Sequence, residues 1–170
     1  MVRDWRSREG TERFELLQTA TGWALQGHVV QGAAETRYLV FVDDRWETER
    51  AEIAVSGRTL LLEVKNGQWL VDGVAATALA GCIDVDLSLT PSTNTLPLRR
   101  LQLPVGASSG EVRAAWVRFP ELTVEVLSQE YRRESEHVYR YRSGQLEFEA
   151  RLEVDDEQLV VRYGDLWALA

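Results

Sequence analysis

The sequence predicts a mainly β protein: an antiparallel sheet of many strands that curls into a roll, barrel or sandwich. Three observations carry this. Apolar residues recur with period two over several stretches, turn-forming pairs punctuate them at short intervals, and the alternating long helices of a doubly wound fold are missing.

In chain order, Thr36–Val42 and Leu60–Val64 are apolar on both faces and read as central or doubly covered strands. Ser56-Gly57, Asn66-Gly67 and Asp72-Gly73 then fall between strand-like runs. Asn-Gly in particular supplies the positive φ angles that a tight hairpin demands. The Ala-rich stretch Val74–Ala80 predicts a single helical turn. In Ile83, Val85, Leu87 and Leu89, apolar positions alternate with Cys82, Asp84, Asp86 and Ser88, a strand with one dry and one wet face.

After Pro91-Ser92-Thr93 comes the best helix candidate. Asn94 or Thr95 suits the N-cap, Pro97 is tolerated in a first turn, and Leu96, Leu98, Leu101 and Leu103 cover one side before Pro104 and Gly106 stop it. Leu122, Val124 and Val126 mark another strand. Leu146 to Val154 alternates apolar even positions with charged odd ones, between the turn signals Ser143-Gly144 and Asp155-Asp156.

Bulk properties set the limits. A chain of 170 residues, 45% hydrophobic and 27% charged, with six Trp, five Tyr and four Phe, is globular and buries its own core; residues 1–170 read as one domain. A net charge of −8 opposes duplex nucleic acid and anionic lipid, because phosphate neutralisation requires a basic surface. Lys65 is the only lysine, and the arginines form only local pairs such as Arg99-Arg100 and Arg132-Arg133. Cys82 stands alone, which excludes an internal disulfide. The first residues lack the apolar core of a signal peptide and no apolar run is long enough to span a bilayer, so the cytoplasm is the default address and no membrane anchor is expected.

Recognisable catalytic or cofactor motifs are missing, and neither a cofactor nor a metal is expected. Cys82 has no histidine in motif context beside it, since His28 and His137 are distant in sequence. Asp84 and Asp86, two apart on one strand, would project their carboxylates the same way about 7 Å apart, a separation compatible with inverting glycoside hydrolysis. The plainer reading is a structural pair neutralised by Arg99, Arg100 or Arg118. Adjacent helical residues point about 100° apart, so one of Arg99 and Arg100 should pair with an aspartate while the other faces solvent. Arg118 and Trp116 alternate on one strand face, which suits a cation–π step.

The segment Gly81–Leu101 (GCIDVDLSLTPSTNTLPLRRL), together with Gln68–Gly73, Ala114–Pro120 and Gln129-Glu130-Tyr131, resembles the signature of a bacterial family described as glycolipid-binding proteins. The resemblance runs from about Trp23 to Trp167. It implies a spiral β-roll, a long sheet wrapped around one short helix, assembling as a homodimer, and a non-catalytic protein that holds a glycolipid or another amphipathic small molecule. The candidate ligand contacts are Trp69, Asp72, Asp84, Asp86, Arg99, Arg100, Trp116, Arg118, Gln129 and Tyr131. Two rival functions stand beside this one: a dimeric protein-interaction module, and a hydrolase built on Asp84 and Asp86. The carrier reading requires a hollow with apolar walls between sheet and helix.

Overall fold

In a computed structural model, residues 1–170 form one continuous, curved, open sheet of fifteen strands with one short helix, the architecture of a β-roll. The first eight strands are β1 (Val2–Arg6), β2 (Gly10–Gln18), β3 (Gly22–Gln31), β4 (Ala34–Asp43), β5 (Thr48–Val55), β6 (Arg58–Lys65), β7 (Gln68–Val71) and β8 (Val74–Ala75). Then come β9 (Asp84–Leu87), the helix α1 (Thr95–Leu101) and β10 (Ser108–Arg118). The chain closes with β11 (Thr123–Ser135), β12 (Val138–Ser143), β13 (Phe148–Val154), β14 (Val160–Tyr163) and β15 (Trp167–Leu169).

The strand order descends from β8 to β1, crosses to β15 and descends again to β9. The first and last strands therefore meet mid-sheet, with Trp5 opposite Leu169. Neighbours pair antiparallel throughout except β9 with β10, which run parallel because the helix-bearing connection lies between them.

Local chemistry explains the hairpins. Ser56, Asn66 and Asp72 take φ of 47°, 53° and 49°, each followed by a glycine at 81°, 74° and 79°. Two successive positive φ values give the backbone twist that matches the flanking strands. Asp72 adds a side-chain tie, its Oδ1 accepting the Leu61 N–H at 2.9 Å.

Several boundaries differ from the pattern. The alternation from Leu146 does not start a strand: Gly144–Leu146 is a 3-10 turn, Glu147 sits at φ 50°, and β13 begins at Phe148. Leu122 likewise lies in a turn at φ 60°, before β11. The Ala-rich stretch does contain a single turn, the 3-10 segment Thr77–Leu79. Asn94 does not cap α1 with its side chain, because a 3-10 turn over Ser92–Asn94 already satisfies the helix start. The helix ends at Gln102 in the left-handed region, φ 44°, ahead of Pro104.

Two apolar clusters fill the roll. The larger gathers Trp5, Phe14, Leu25, Val40 and Leu62 from the N-terminal half with Val85, Leu87, Ala115 and Val117. The smaller packs Leu98 and Leu103 on Tyr131, Tyr139, Tyr141, Leu152 and Val160. Helix α1 lies between them, giving Leu96 to the first and Leu98 to the second. The space between sheet and helix is thus occupied by the protein's own side chains, so the hollow that the carrier reading requires there is absent, and an amphiphile site has to lie elsewhere in the roll. No helix is long and apolar enough to cross a membrane.

Candidate functional site

Strand β9 divides the roll. Val85 and Leu87 face the larger core, while Asp84 and Asp86, two residues apart with the opposite facing, look into the C-terminal half. Its expected wet face is therefore covered: Asp84 is 2% exposed and Asp86 half-buried. Parallel pairing sets Asp84 beside Ala114 and Asp86 beside Trp116, while α1 covers the same side.

The two carboxylates meet different fates. Arg100 reaches from α1 and grips Asp84 with Nη2 at 2.5 Å and Nε at 3.2 Å. Burial pushes the Asp84 carboxyl up and Arg100 opposes that shift. Asp86 has no arginine. Its Oδ2 accepts a hydrogen bond from Gln129 Nε2, which also donates to the Tyr141 hydroxyl at 3.2 Å. The Tyr131 hydroxyl lies 3.2 Å from Gln129 Oε1 and 3.0 Å from Asn94 Oδ1, tying the network to the helix start. Burial raises Asp86 to about 6, the Gln129 hydrogen bond opposing and the Asp84 charge reinforcing the shift.

Beside Asp86 opens a cleft of about 220 Å³. Five rings line it: Trp116, Tyr141, Phe148, Tyr163 and Trp167. Tyr141, Phe148 and Tyr163 stand edge to face, with centroids 6.0–6.2 Å apart and planes at 60–84°. Leu87, Leu127, Leu146 and Leu166 complete the apolar wall, and Asp86, Ser88, Thr90 and Asn94 supply the polar edge. Leu146 and Leu166, 42% and 49% exposed, mark the solvent side. At roughly 30 Å³ per water, the space holds about seven waters, enough for one head group or a short chain.

The sequence candidates divide accordingly. Asp86 and Trp116 line this cleft, and Gln129 holds Asp86 from behind. Tyr131, 1% exposed, and the Asp84–Arg100 pair form the supporting network beneath. Arg118 lies over the Trp116 ring at 5.2 Å, as their alternation anticipates, and Glu125 draws it outward at 3.6 Å. Trp69 and Asp72 are elsewhere: Trp69 is in the core, donating to the Cys82 carbonyl at 2.9 Å, and Asp72 serves its turn. Arg99 does not face solvent. Its guanidinium lies 4.6 Å from the Trp46 ring and 5.6 Å from that of Trp23, on two stacked indoles, because α1 turns that flank toward β3 and the loop before β5. The paired-carboxylate geometry for hydrolysis is not what the cleft presents, since Asp84 is sealed by Arg100 and only Asp86 lines it.

Some contributors carry no motif. Tyr141, Phe148, Tyr163 and Trp167 come from four strands of three to seven residues whose convergence only the roll creates. Glu12 forms a second buried polar centre: it is 1% exposed, its Oε1 accepts from the Tyr38 hydroxyl at 2.5 Å and from Thr90 Oγ1 at 2.8 Å, and its Oε2 has no partner. Desolvation raises Glu12 to about 7 against both hydrogen bonds. Thr90 joins this centre to the cleft edge. A signal was present in the sequence, since Glu12 shares the inward face of β2 with Phe14 and Leu16.

Comparison with known proteins adds two findings. A family described as "putative glycolipid-binding" matches residues 3–168. A crystal structure of a DUF1089 family protein from Pseudomonas aeruginosa superposes with a TM-score of 0.79 at 29% identity, covering 92% of this chain and 91% of that one. No curated protein matches the chain.

Proposed function

The chain belongs to the "putative glycolipid-binding" family, and from that premise we propose that it binds an amphipathic small molecule, with the aromatic cleft beside Asp86 as the binding site. The observation that carries the reading is the lining: nine of thirteen residues are hydrophobic, and the four polar ones, Asp86, Ser88, Thr90 and Asn94, come from one segment of the chain. Mostly apolar walls with a few fixed polar groups are what a small-molecule site requires. The cleft is smaller than the roughly 300–1,000 Å³ of drug-sized sites, so it takes one end of an amphiphile while the rest runs out past Leu146 and Leu166.

The test is a titration with hexyl glucoside followed through the indole N–H resonances of Trp116 and Trp167. Saturable shifts of both, lost when Ser88→Trp fills the cleft from its edge, are expected. Shifts confined to other residues, or none at all, would remove the assignment.

A second reading concerns the outer face of β4 to β6. There a groove of about 350 Å³ is lined by half-buried Leu39 and Leu61 and exposed Ala54, between Arg37, Arg50, Glu52 and Asp72. Charges of both signs around apolar residues make the patch self-complementary under a twofold axis, which favours a second copy of this chain as its occupant. Light scattering should then give a dimer mass that Leu39→Glu halves; a monomer at all concentrations would exclude it.

A further inference from the structure

We infer that the polar group recognised in the cleft is a cation, the ammonium of a primary or quaternary amine on a short apolar chain, with Asp86 as its counter-ion. The inference rests on the amphiphile reading and specifies the head group.

Two carboxylates point into the C-terminal half and one guanidinium meets them. Arg100 spends its Nε and Nη2 on the two oxygens of Asp84. Asp86 is left with the neutral amide of Gln129 on Oδ2 and no donor from the chain on Oδ1. Among the thirteen residues around the cleft it is the only charged one, and no lysine, arginine or histidine joins it. A half-buried carboxylate among rings carries an uncompensated desolvation cost that a bound cation offsets.

The rings favour the same class. Aromatic faces are negative, and a cation within about 6 Å of a ring centroid is held by the quadrupole. The protein makes such a contact outside the lining, where Arg118, paired with Glu125, sits on the Trp116 ring. Tyr141, Phe148 and Tyr163 present further electron-rich surface around Asp86. An anionic head would meet the carboxylate with nothing to neutralise it. A neutral sugar would gain a hydrogen-bond acceptor but no charge pairing, so it binds more weakly than an ammonium of equal tail.

The experiment compares three ligands with one tail, hexylammonium, hexyl glucoside and hexyl sulfate, against the full chain at pH 8, using the Trp116 and Trp167 indole resonances. Hexylammonium should bind about tenfold more tightly than hexyl glucoside, with hexyl sulfate weakest. Asp86→Asn should remove the ammonium preference, so that hexylammonium binds the variant no more tightly than hexyl glucoside does. Glucoside binding as tightly as ammonium in the wild type would overturn the cationic assignment and leave the amphiphile site standing. An ammonium preference that survives in Asp86→Asn would also overturn it. Failure of all three ligands to shift either indole would overturn both readings. The wild-type comparison decides even if the variant does not fold.

Discussion

Arg100 and Asp84 form a two-point ion pair, with Nε on one carboxylate oxygen and Nη2 on the other, at side-chain exposures of 13% and 2%. The pair fastens α1 to β9 and so fixes the floor beneath the cleft. Removing one member strands the other in a dry site, at a cost of about 3–5 kcal/mol. Arg100→Met should lower the urea unfolding free energy by that amount, and Arg100→Met with Asp84→Leu should recover most of it. A single-variant loss below about 1 kcal/mol would show that water reaches Asp84.

Glu12 predicts a pH dependence of stability. Its folded pKa of about 7 lies above the ordinary value of 4.5, so the native state holds this proton more tightly than the unfolded chain. The resulting stabilisation is complete below pH 4.5 and is lost as pH rises towards 7. The difference is about 3 kcal/mol. The groups bonded to Glu12 are Tyr38 from β4 and Thr90 from the segment before α1, each of which also meets Ser92, and none is charged near neutrality. Urea unfolding from pH 5 to 8 should show a fall that Glu12→Gln flattens; Asp86, raised to about 6, retains a smaller share. An identical slope in the variant would mean that Glu12 does not titrate there.

Most of the β pattern was readable from the residues, because hairpin turns and strand alternation are local. Asn66-Gly67 and Asp72-Gly73 form hairpins wherever they stand between strands. The faces were harder. Period two places Asp84 and Asp86 together but cannot say that α1 covers them, since that depends on the contact of Asp84 with Arg100, 16 residues on. The helix period correctly separated Arg99 from Arg100, yet the indoles that receive Arg99 lie more than fifty residues away. Alternation also misled at Leu146, where a positive φ at Glu147 breaks a pattern that composition alone continues. The cleft itself has no signature: its rings belong to β10, β12, β13, β14 and β15, and only sheet curvature assembles them.

Gly27 predicts a steric effect. A Cβ built there would lie 2.3 Å from the Tyr38 ring and 2.4 Å from its hydroxyl oxygen. Tyr38 is 3% exposed and has little room to retreat, and its hydroxyl anchors Glu12 and Ser92. Gly27→Ala should therefore cost about 3 kcal/mol through overpacking, with loss of the Tyr38–Glu12 hydrogen bond. Coupling to Tyr38→Phe provides the check, since the double variant should lose less than the sum of the two singles. Strict additivity would indicate that the ring is undisturbed.

Leu98 tests whether the roll is filled. It is 1% exposed and packs from α1 into the tyrosine-rich cluster, while Leu96 packs into the larger one, and together they take the space that a central hollow would need. Truncation removes buried methyl groups and leaves a cavity between helix and sheet, so Leu98→Ala should lose about 2–5 kcal/mol. Leu166, 49% exposed at the cleft edge, forms the control, and Leu166→Ala should change stability by less than about 1 kcal/mol. Binding separates the two further. Leu98→Ala should leave the affinity for hexyl glucoside unchanged, because the ligand lies beyond Asn94 and not under the helix. Leu166→Ala should weaken it about threefold by removing apolar wall. The reverse outcome, tighter binding in Leu98→Ala with Leu166→Ala unaffected, would relocate the ligand to the space under α1.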